Sequence, residues 1–340
     1  MLPAAEAGLR ARPFSSALAL LAGFFLLLPA VQAQLPPPTA PPPPPSASGA
    51  PAPKDEPFKL RQSVNLVVLH TVAVDDQGHF VDGLKPENFK ILESKVPQKI
   101  SVFKREDIPV SMGLVIDNSG SMRDKRPKVN EAAITLVQAS NPNDEAFVVN
   151  FNDEFYLDLD KDFTSSVPEL KEALERIDSR GSTALYDAII GSLDHLKKAK
   201  KDKKVLLVVT DGDDTASRNS LEATIKEIQK TDALIYTIGI LGDEEKKTKK
   251  KARKALQEIA EASGGLAFFP ESVEAVHSIC EEVAKDIRNQ YVLAYYPTNA
   301  NQDGSFRPVQ VTAIPPKGHG KISARTRNGY YASVAKKSAD

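Results

Sequence analysis

The sequence contains few of the residues that build disulfide frameworks and soft-metal centres. Among its 340 residues there is one cysteine, Cys280, so an internal disulfide is excluded. The five histidines are scattered, and none has a Cys/His spacing typical of a zinc site or a redox dithiol. A Gly-x-Ser-x-Gly elbow and a phosphate-cradling glycine loop are also absent, so hydrolase chemistry has little support.

An excess of charge of one sign is lacking as well. The 44 Lys and Arg residues nearly balance the 45 Asp and Glu residues, which excludes a general attraction to nucleic acid or to an anionic membrane. Two lysine-rich runs, 197–204 and 246–254, are local exceptions. The first closes a predicted helix, where positive charge complements the helix dipole, but the second lies in the first turns of one. The second run is therefore either a solvated face or a contact surface for an acidic polymer or lipid.

The first 33 residues have the features of a targeting segment. Arg10 and Arg12 precede an apolar core at 17–28, which small residues follow up to Ala33. We expect a signal peptide at 1–33 and a periplasmic or secreted location, with an uncleaved membrane anchor as the alternative. Residues 34–57 are rich in proline and predict an extended, disordered spacer.

Strand-like and helix-like segments alternate over residues 107–289. VSMGLVID and KVLLVVTD are almost continuous apolar runs, as expected of strands that are buried on both faces. Further strands are predicted at EAFVVNF, EFYLDL, LIYTIGIL and LAFFP, and helices at 125–139, 167–177, 184–198, 220–231, 244–263 and 273–289. Only two residues separate EAFVVNF from EFYLDL, so this pair must be antiparallel. The predicted fold class is α/β, with a doubly wound, mostly parallel sheet and one antiparallel edge strand.

Short oxygen-bearing side chains follow two of these strands. Asp117 ends VSMGLVID and is followed by Ser119 and Ser121, while Asp211 ends KVLLVVTD and Thr183 precedes a predicted helix. Because ligands of such sheets bind at the carboxyl ends of the strands, we expect these five side chains to meet at one rim. Their hydroxyl and carboxylate oxygens suit a hard divalent cation, Mg²⁺, or alternatively Mn²⁺ or Ca²⁺. The alternative for the Asp-x-Ser-x-Ser segment is a capped turn without metal.

This pattern, Asp117-x-Ser119-x-Ser121 with Thr183 and Asp211, resembles the metal-ion-dependent adhesion site of von Willebrand factor type A (VWA) domains. The resemblance covers roughly residues 108–289. It implies that the three hydroxyls bind the ion, that the aspartates bind directly or through water, and that a protein partner supplies an Asp or Glu carboxylate. It also implies, for some members, a coupling between the site and the last helix. The whole chain resembles bacterial secreted VWA-related proteins.

The two flanks, 58–106 and 290–334, alternate apolar and polar residues around turn signals, as strands do. Neither flank holds enough strands for a stable sandwich. We expect them to pair into one small β-sandwich-like domain around the VWA-like region at 107–289, the alternative being two separate extensions. Residues 335–340 are predicted to form a tail.

These features together predict a non-enzymatic, extracytoplasmic adhesion or protein-binding module. No nucleic-acid partner is expected, and the N-terminal segment suggests an association with the cell envelope. Two alternatives stay open. One is a structural envelope component in which the metal only stabilises the fold. The other is a metal-dependent hydrolase, whose candidate bases, Asp124, Asp213 and Asp214, are more simply explained as solvated or capping residues.

Overall fold

The computed structural model describes residues 66–334 except 106, 140, 177–178, 243–244 and 319. The predicted signal peptide, the proline-rich spacer and the tail at 335–340 lie outside the described residues. Within the described part, none of the helices has the length and apolar character needed to cross a membrane.

Two strand-rich flanks enclose a region in which strands and helices alternate. The first flank contains β1 (Val67–Asp75), β2 (Phe89–Glu93), β3 (Val96–Gln98) and β4 (Ile100–Lys104). The alternating region contains β5 (Val110–Asp117), α1 (Arg126–Gln138), β6 (Glu145–Phe151), β7 (Phe155–Leu157), α2 (Val167–Glu175), α3 (Leu185–His195), β8 (Lys203–Thr210), α4 (Leu221–Gln229), β9 (Leu234–Gly239), α5 (Lys246–Ser263), β10 (Ala267–Phe268) and α6 (Val276–Arg288). The second flank contains β11 (Gln290–Tyr295), β12 (Phe306–Ala313), β13 (Ile322–Arg325) and β14 (Gly329–Tyr331).

The central sheet has the strand order β10-β9-β8-β5-β6-β7. Its pairings are parallel except that of β7 with β6, so the predicted fold class is confirmed. β5 lies in the middle and is buried at every position, which explains its continuous apolar sequence. Gly113 is needed on this strand, because a Cβ there would lie 2.5 Å from the side chains of both Leu206 and Phe147.

Each face of the central sheet has its own apolar core. Helices α1, α2 and α6 cover one face, where Leu114, Leu136 and Val283 are buried together. Helices α3, α4 and α5 cover the other face around Phe147 and Ile259. Cys280 on α6 lies in the first core, and burial raises the pKa of its thiol to about 12. This cysteine is therefore a packing residue.

The two flanks pair with each other. One antiparallel sheet has the order β13-β1-β11-β4 and the other β14-β12-β2-β3, so each contains strands from both flanks. Val72 of β1, for example, is paired with Gln290 of β11 on one side and Arg325 of β13 on the other. A single core that includes Ile91 and Leu293 lies between the two sheets. The flanks form one β-sandwich-like unit, as predicted, and not two separate extensions.

Several predicted elements are shorter in the structure. The ends of the helices predicted at 184–198 and 273–289 contain the 3₁₀ turns Leu196–Lys198 and Val273–Ala275. The strand predicted at EFYLDL retains only Phe155–Leu157. The next residue, Asp158, still donates its backbone N–H to the Val148 carbonyl at 3.1 Å, and its side chain accepts a 2.6 Å hydrogen bond from the Asn150 amide.

Candidate metal centre

Asp117 is the last residue of β5 and is completely buried. One carboxylate oxygen accepts a 2.8 Å hydrogen bond from the Ser119 backbone N–H, and the other accepts a 2.5 Å hydrogen bond from the Thr210 hydroxyl. Burial raises the pKa of Asp117 to about 6, although these hydrogen bonds act to lower it, and the Asp211 carboxylate raises it further. A cation beside Asp117 would favour its charged form.

The two serines lie on the loop above β5. Ser119 precedes the 3₁₀ turn Gly120–Met122 and Ser121 lies within it. Their hydroxyl oxygens are 3.3 Å apart, and the Ser121 hydroxyl donates a 2.8 Å hydrogen bond to Asp211 Oδ1. Neighbouring oxygen ligands of an octahedral Mg²⁺ are separated by about 3 Å. The two separations, 3.3 Å and 2.8 Å, are close to that value.

Asp211 follows β8 directly, and its carboxylate is almost fully buried. Its second oxygen, Oδ2, forms an ion pair with the ammonium group of Lys125, which lies immediately before α1. The positive charge of Lys125 thus lies beside the Asp211 carboxylate, which the divalent ion would also contact. The sequence contains no signal for this contact, because a lysine at the start of a helix is ordinarily solvated.

Thr183 is buried two residues before α3. Its backbone N–H donates a 3.0 Å hydrogen bond to the Thr215 hydroxyl, and its carbonyl accepts a 2.9 Å bond from the Thr215 N–H. In the same loop, the Gly181 carbonyl accepts a 3.4 Å bond from Gly120 N–H. Ser119, Ser121 and Asp211 are thus joined through their side chains. The backbone of Thr183 is bonded to Thr215, and Gly181 of its loop is bonded to the loop of the two serines.

A buried arginine lies beneath Asp117. Arg126 is 1% exposed, and its guanidinium donates to the Asp117 carbonyl at 3.4 Å, to the Asn150 side chain at 2.7 Å and to the Leu174 carbonyl at 2.9 Å. Burial lowers the pKa of Arg126 to about 10, while Asp117 and Asp158 act to raise it. Sequence reasoning missed this residue, because an arginine in the first turn of a helix carries no signal of burial.

The sequence profile of the von Willebrand factor type A domain matches residues 112–282, half of the chain. The chain belongs to the von Willebrand factor type A domain family. It is 25% identical over 211 residues to the bovine inter-alpha-trypsin inhibitor heavy chain H4, an alignment that covers 57% of this chain and 22% of that protein. The chain spans less than half the length of the curated relatives it matches.

The solved structures that are similar to this VWA protein include the following two. A von Willebrand factor type A protein from Catenulispora acidiphila has a TM-score of 0.48 and 14% identity, with 79% of this chain and 73% of that chain covered. Proximal thread matrix protein 1 from the mussel byssus, solved with a zinc-occupied MIDAS motif (a metal-ion-dependent adhesion site), has a TM-score of 0.44 and 20% identity. That match covers 56% of this chain and 48% of the mussel protein.

The three loop aspartates that were considered as candidate bases, Asp124, Asp213 and Asp214, each have a different environment. Asp214 accepts hydrogen bonds from the Tyr186 backbone N–H at 3.2 Å and from the Ser217 hydroxyl at 2.5 Å, so it caps the start of α3. Asp213 forms an ion pair of 2.5 Å with Lys251 of α5. Asp124 is exposed to solvent. Asp214 is thus a capping residue and Asp124 a solvated one, as the sequence favoured. The ion pair of Asp213 with Lys251 was not predicted.

Proposed function

We propose that this chain is a non-enzymatic, extracytoplasmic protein-binding module. In the proposal the VWA domain holds one divalent cation, Mg²⁺ or Mn²⁺, and presents it to an Asp or Glu carboxylate of a protein partner. The ligands would be Asp117, Ser119, Ser121, Thr183 and Asp211. The observation that carries the proposal is the row of oxygen contacts from Ser119 through Ser121 to Asp211, with spacings of 3.3 Å and 2.8 Å.

The charge and exposure of these residues support a role for a partner's carboxylate. The five proposed ligands include two carboxylates, and one of them, Asp211, forms an ion pair with Lys125. The charges of the ion and the two carboxylates cancel, and the nearby Lys125 ammonium adds one positive charge, so a further anionic ligand is favourable. Ser121 is exposed, whereas Asp117, Ser119, Thr183 and Asp211 are buried. The ion would therefore be reached from the side of Ser121.

The surroundings of the loop aspartates support a non-enzymatic role. A hydrolase would need a base near the metal. Asp213 is paired with Lys251 and Asp214 caps α3, so each carboxylate has a structural role that requires no catalysis. The extracytoplasmic part of the proposal rests on the signal-peptide features of residues 1–33, followed by the proline-rich spacer.

Isothermal titration of the purified chain with MgCl₂ and MnCl₂ tests the metal part. We expect one site, and we expect Asp117→Ala to abolish binding. Asp124→Ala is the matched control, because this aspartate is exposed and lies on the same loop but is not a proposed ligand. The Asp124→Ala variant should bind the ion as the parent does. Unchanged binding in Asp117→Ala, with its fold verified by circular dichroism, would contradict the proposed ligand set.

Partner capture from an envelope extract tests the second part. Immobilised chain should retain a protein in Mn²⁺ that is released by chelator and is not retained by Asp117→Ala. If the metal raises the thermal unfolding midpoint but no capture depends on it, the ion stabilises the fold only. That result would favour the structural alternative over adhesion.

A further inference from the structure

Helix α5 carries a basic face beside the metal centre. Lys247, Lys250, Lys251 and Lys254 are spaced i, i+3, i+4 and i+7, so they share one side of the helix, and all four are exposed. The opposite side, which includes Leu256 and Ile259, is buried against the central sheet. We call these four lysines the α5 basic face.

The fold itself does not account for this face. Its lysines lie in the first half of α5, and the first turn of the helix contains no acidic residue. Positive charge in the first turn of a helix, where Lys247 lies, opposes the helix dipole. Among the residues that the structure describes, no carboxylate lies within ion-pair distance of Lys247 or Lys250, whereas Lys254 has Glu258 at 3.5 Å.

The other lysine-rich run of the chain has a different environment. Lys197 pairs with Asp194 at 2.8 Å, Lys198 with Asp162 at 2.8 Å and Lys204 with Asp232 at 3.9 Å. Lys203 is buried. Three of the six lysines in that run are thus paired with carboxylates within the chain. The run also extends into the first residues of β8, which puts it at the opposite edge of the central sheet from the metal centre.

The α5 basic face is continuous with the metal rim. Lys251 contacts Asp213, which follows the candidate ligand Asp211 by two residues. Helix α5 also begins after the carboxyl end of β9, at the same edge of the sheet as Asp117. From Lys247 to Lys254 the face extends for about 10 Å along the helix, the length of about three residues of extended chain.

We infer that the metal centre and the α5 basic face together form one surface for an acidic protein segment. One carboxylate of the segment ligates the ion, and carboxylates within the next few residues lie against Lys247 and Lys250. Charge complementarity identifies this occupant, because the face presents ammonium groups that lack an acidic partner within the described chain. The inference rests on the proposed function of the metal centre and adds the composition of the partner segment.

Fluorescence anisotropy with a labelled hexaglutamate peptide tests the inference in the presence of Mn²⁺. Lys247→Glu combined with Lys250→Glu should weaken binding by at least about tenfold, and the loss should shrink at high salt. The control, Lys200→Glu with Lys201→Glu, has the same change in net charge at the opposite edge and should bind within about twofold of the parent. Glutamate near a helix N-terminus is favourable, so the test variant should fold.

The outcomes separate the inference from the proposed function. If both double variants bind equally, the α5 basic face is not part of the surface, while loss of binding with EDTA and in Asp117→Ala would still support the metal-dependent function. If binding depends on α5 but survives EDTA and Asp117→Ala, both the joint surface and the metal-dependent function are contradicted for this probe. Binding of phosphatidylserine vesicles through α5, without binding of the peptide, would replace the inference with a membrane contact.

Discussion

Arg325 Nη2 lies 2.6 Å from each of the two carboxylate oxygens of Asp286. Arg325 belongs to β13 of the β-sandwich-like unit and Asp286 to the last turn of α6, so this ion pair joins the flanks to the VWA domain. Asp286 also accepts a 2.6 Å hydrogen bond from the Tyr236 hydroxyl, and its side chain is 3% exposed. Removal of one partner from an ion pair buried this deeply leaves the other charge uncompensated.

We therefore predict that this pair contributes to the attachment of the two units. Arg325→Met and Asp286→Asn should each lower the free energy of unfolding by roughly 2–4 kcal/mol, and the double mutant should lose less than the sum. Urea unfolding of the four proteins of the cycle measures this coupling. The exposed pair Arg176–Glu172, with a 3.2 Å contact, is the control and should show a coupling below about 0.5 kcal/mol. Additive losses at Asp286 and Arg325 would mean that they do not act as a pair.

A second prediction concerns movement of α6, which the family resemblance implies for a metal-bound partner. The last turn of α6 is held by Arg325 through Asp286, by Asp144 through Arg288, and by Lys203 through the Ile287 carbonyl. If the helix shifts when Mn²⁺ and hexaglutamate bind, hydrogen exchange should change in α6 and β13 together, because Arg325 joins them. In Asp286→Asn the change in β13 should disappear. Equal exchange in α6 with metal alone and with bound peptide would rule out the coupling.

Thr210 is predicted to orient Asp117 for metal binding. Its hydroxyl donates a 2.5 Å hydrogen bond to Asp117 Oδ2 in the buried floor of the site. Thr210→Val removes the donor at almost constant volume, and we expect Mg²⁺ affinity measured by calorimetry to fall by about tenfold or more. Thr210→Ser keeps the hydroxyl and should stay within a few-fold of the parent. Parental affinity in the valine variant would show that Asp117 needs no such support.

Lys125 is predicted to compete with the divalent ion. Its ammonium group forms an ion pair with Asp211 Oδ2, so metal and lysine share one carboxylate. Lys125→Met removes the competing charge, and the dissociation constant for Mg²⁺ should decrease by about threefold to tenfold. Lys128→Met is the control, because Lys128 is exposed and pairs with Glu274 at 3.5 Å. Weaker binding in Lys125→Met would mean that the lysine holds Asp211 in place and does not compete with the ion.

Lys203 is predicted to make the free energy of unfolding increase as pH rises above about 7. Burial, and then the Arg288 charge, lower the pKa of Lys203 from 10.5 to about 7. Between these values the unfolded chain binds more protons than the folded protein, so this group makes the folded state more stable as pH rises. Below about pH 7 both states are protonated, and the full cost of the buried charge remains.

The measurement is urea unfolding of the parent and Lys203→Met from about pH 6 to about pH 10. The stability of the parent relative to this variant should rise by about 1.4 kcal/mol per pH unit within the window. Lys204→Met is the neighbouring control, because Lys204 is only half-buried and its nearest carboxylate, on Asp232, is 3.9 Å away. A constant difference between parent and Lys203→Met would indicate that Lys203 stays charged throughout.

The central part of the fold was predictable because its signals are local and periodic. The buried middle strands β5 and β8 are continuous apolar runs, and the two-residue gap between β6 and β7 permits only an antiparallel pair. The pairing of the flanks followed from a count of strands, since neither flank could form a sandwich alone. Their register, such as Val72 opposite Arg325, had no equivalent signal in the sequence.

For the candidate site, the sequence by itself determined which oxygens lie at the ends of strands. Ser119 and Ser121 are chain neighbours of Asp117, and parallel pairing of β5 with β8 brings Asp211 to the same rim. The assignment of these residues as metal ligands stays a prediction. Only the tertiary structure decided which charged groups surround them: Arg126 beneath Asp117, Lys125 on Asp211, Lys251 on Asp213 and Arg325 on Asp286. Lys125 and Asp211, for example, are separated by 86 residues. Long, flexible charged side chains follow no periodic pattern, so their partners are determined by where the packed apolar elements bring them together.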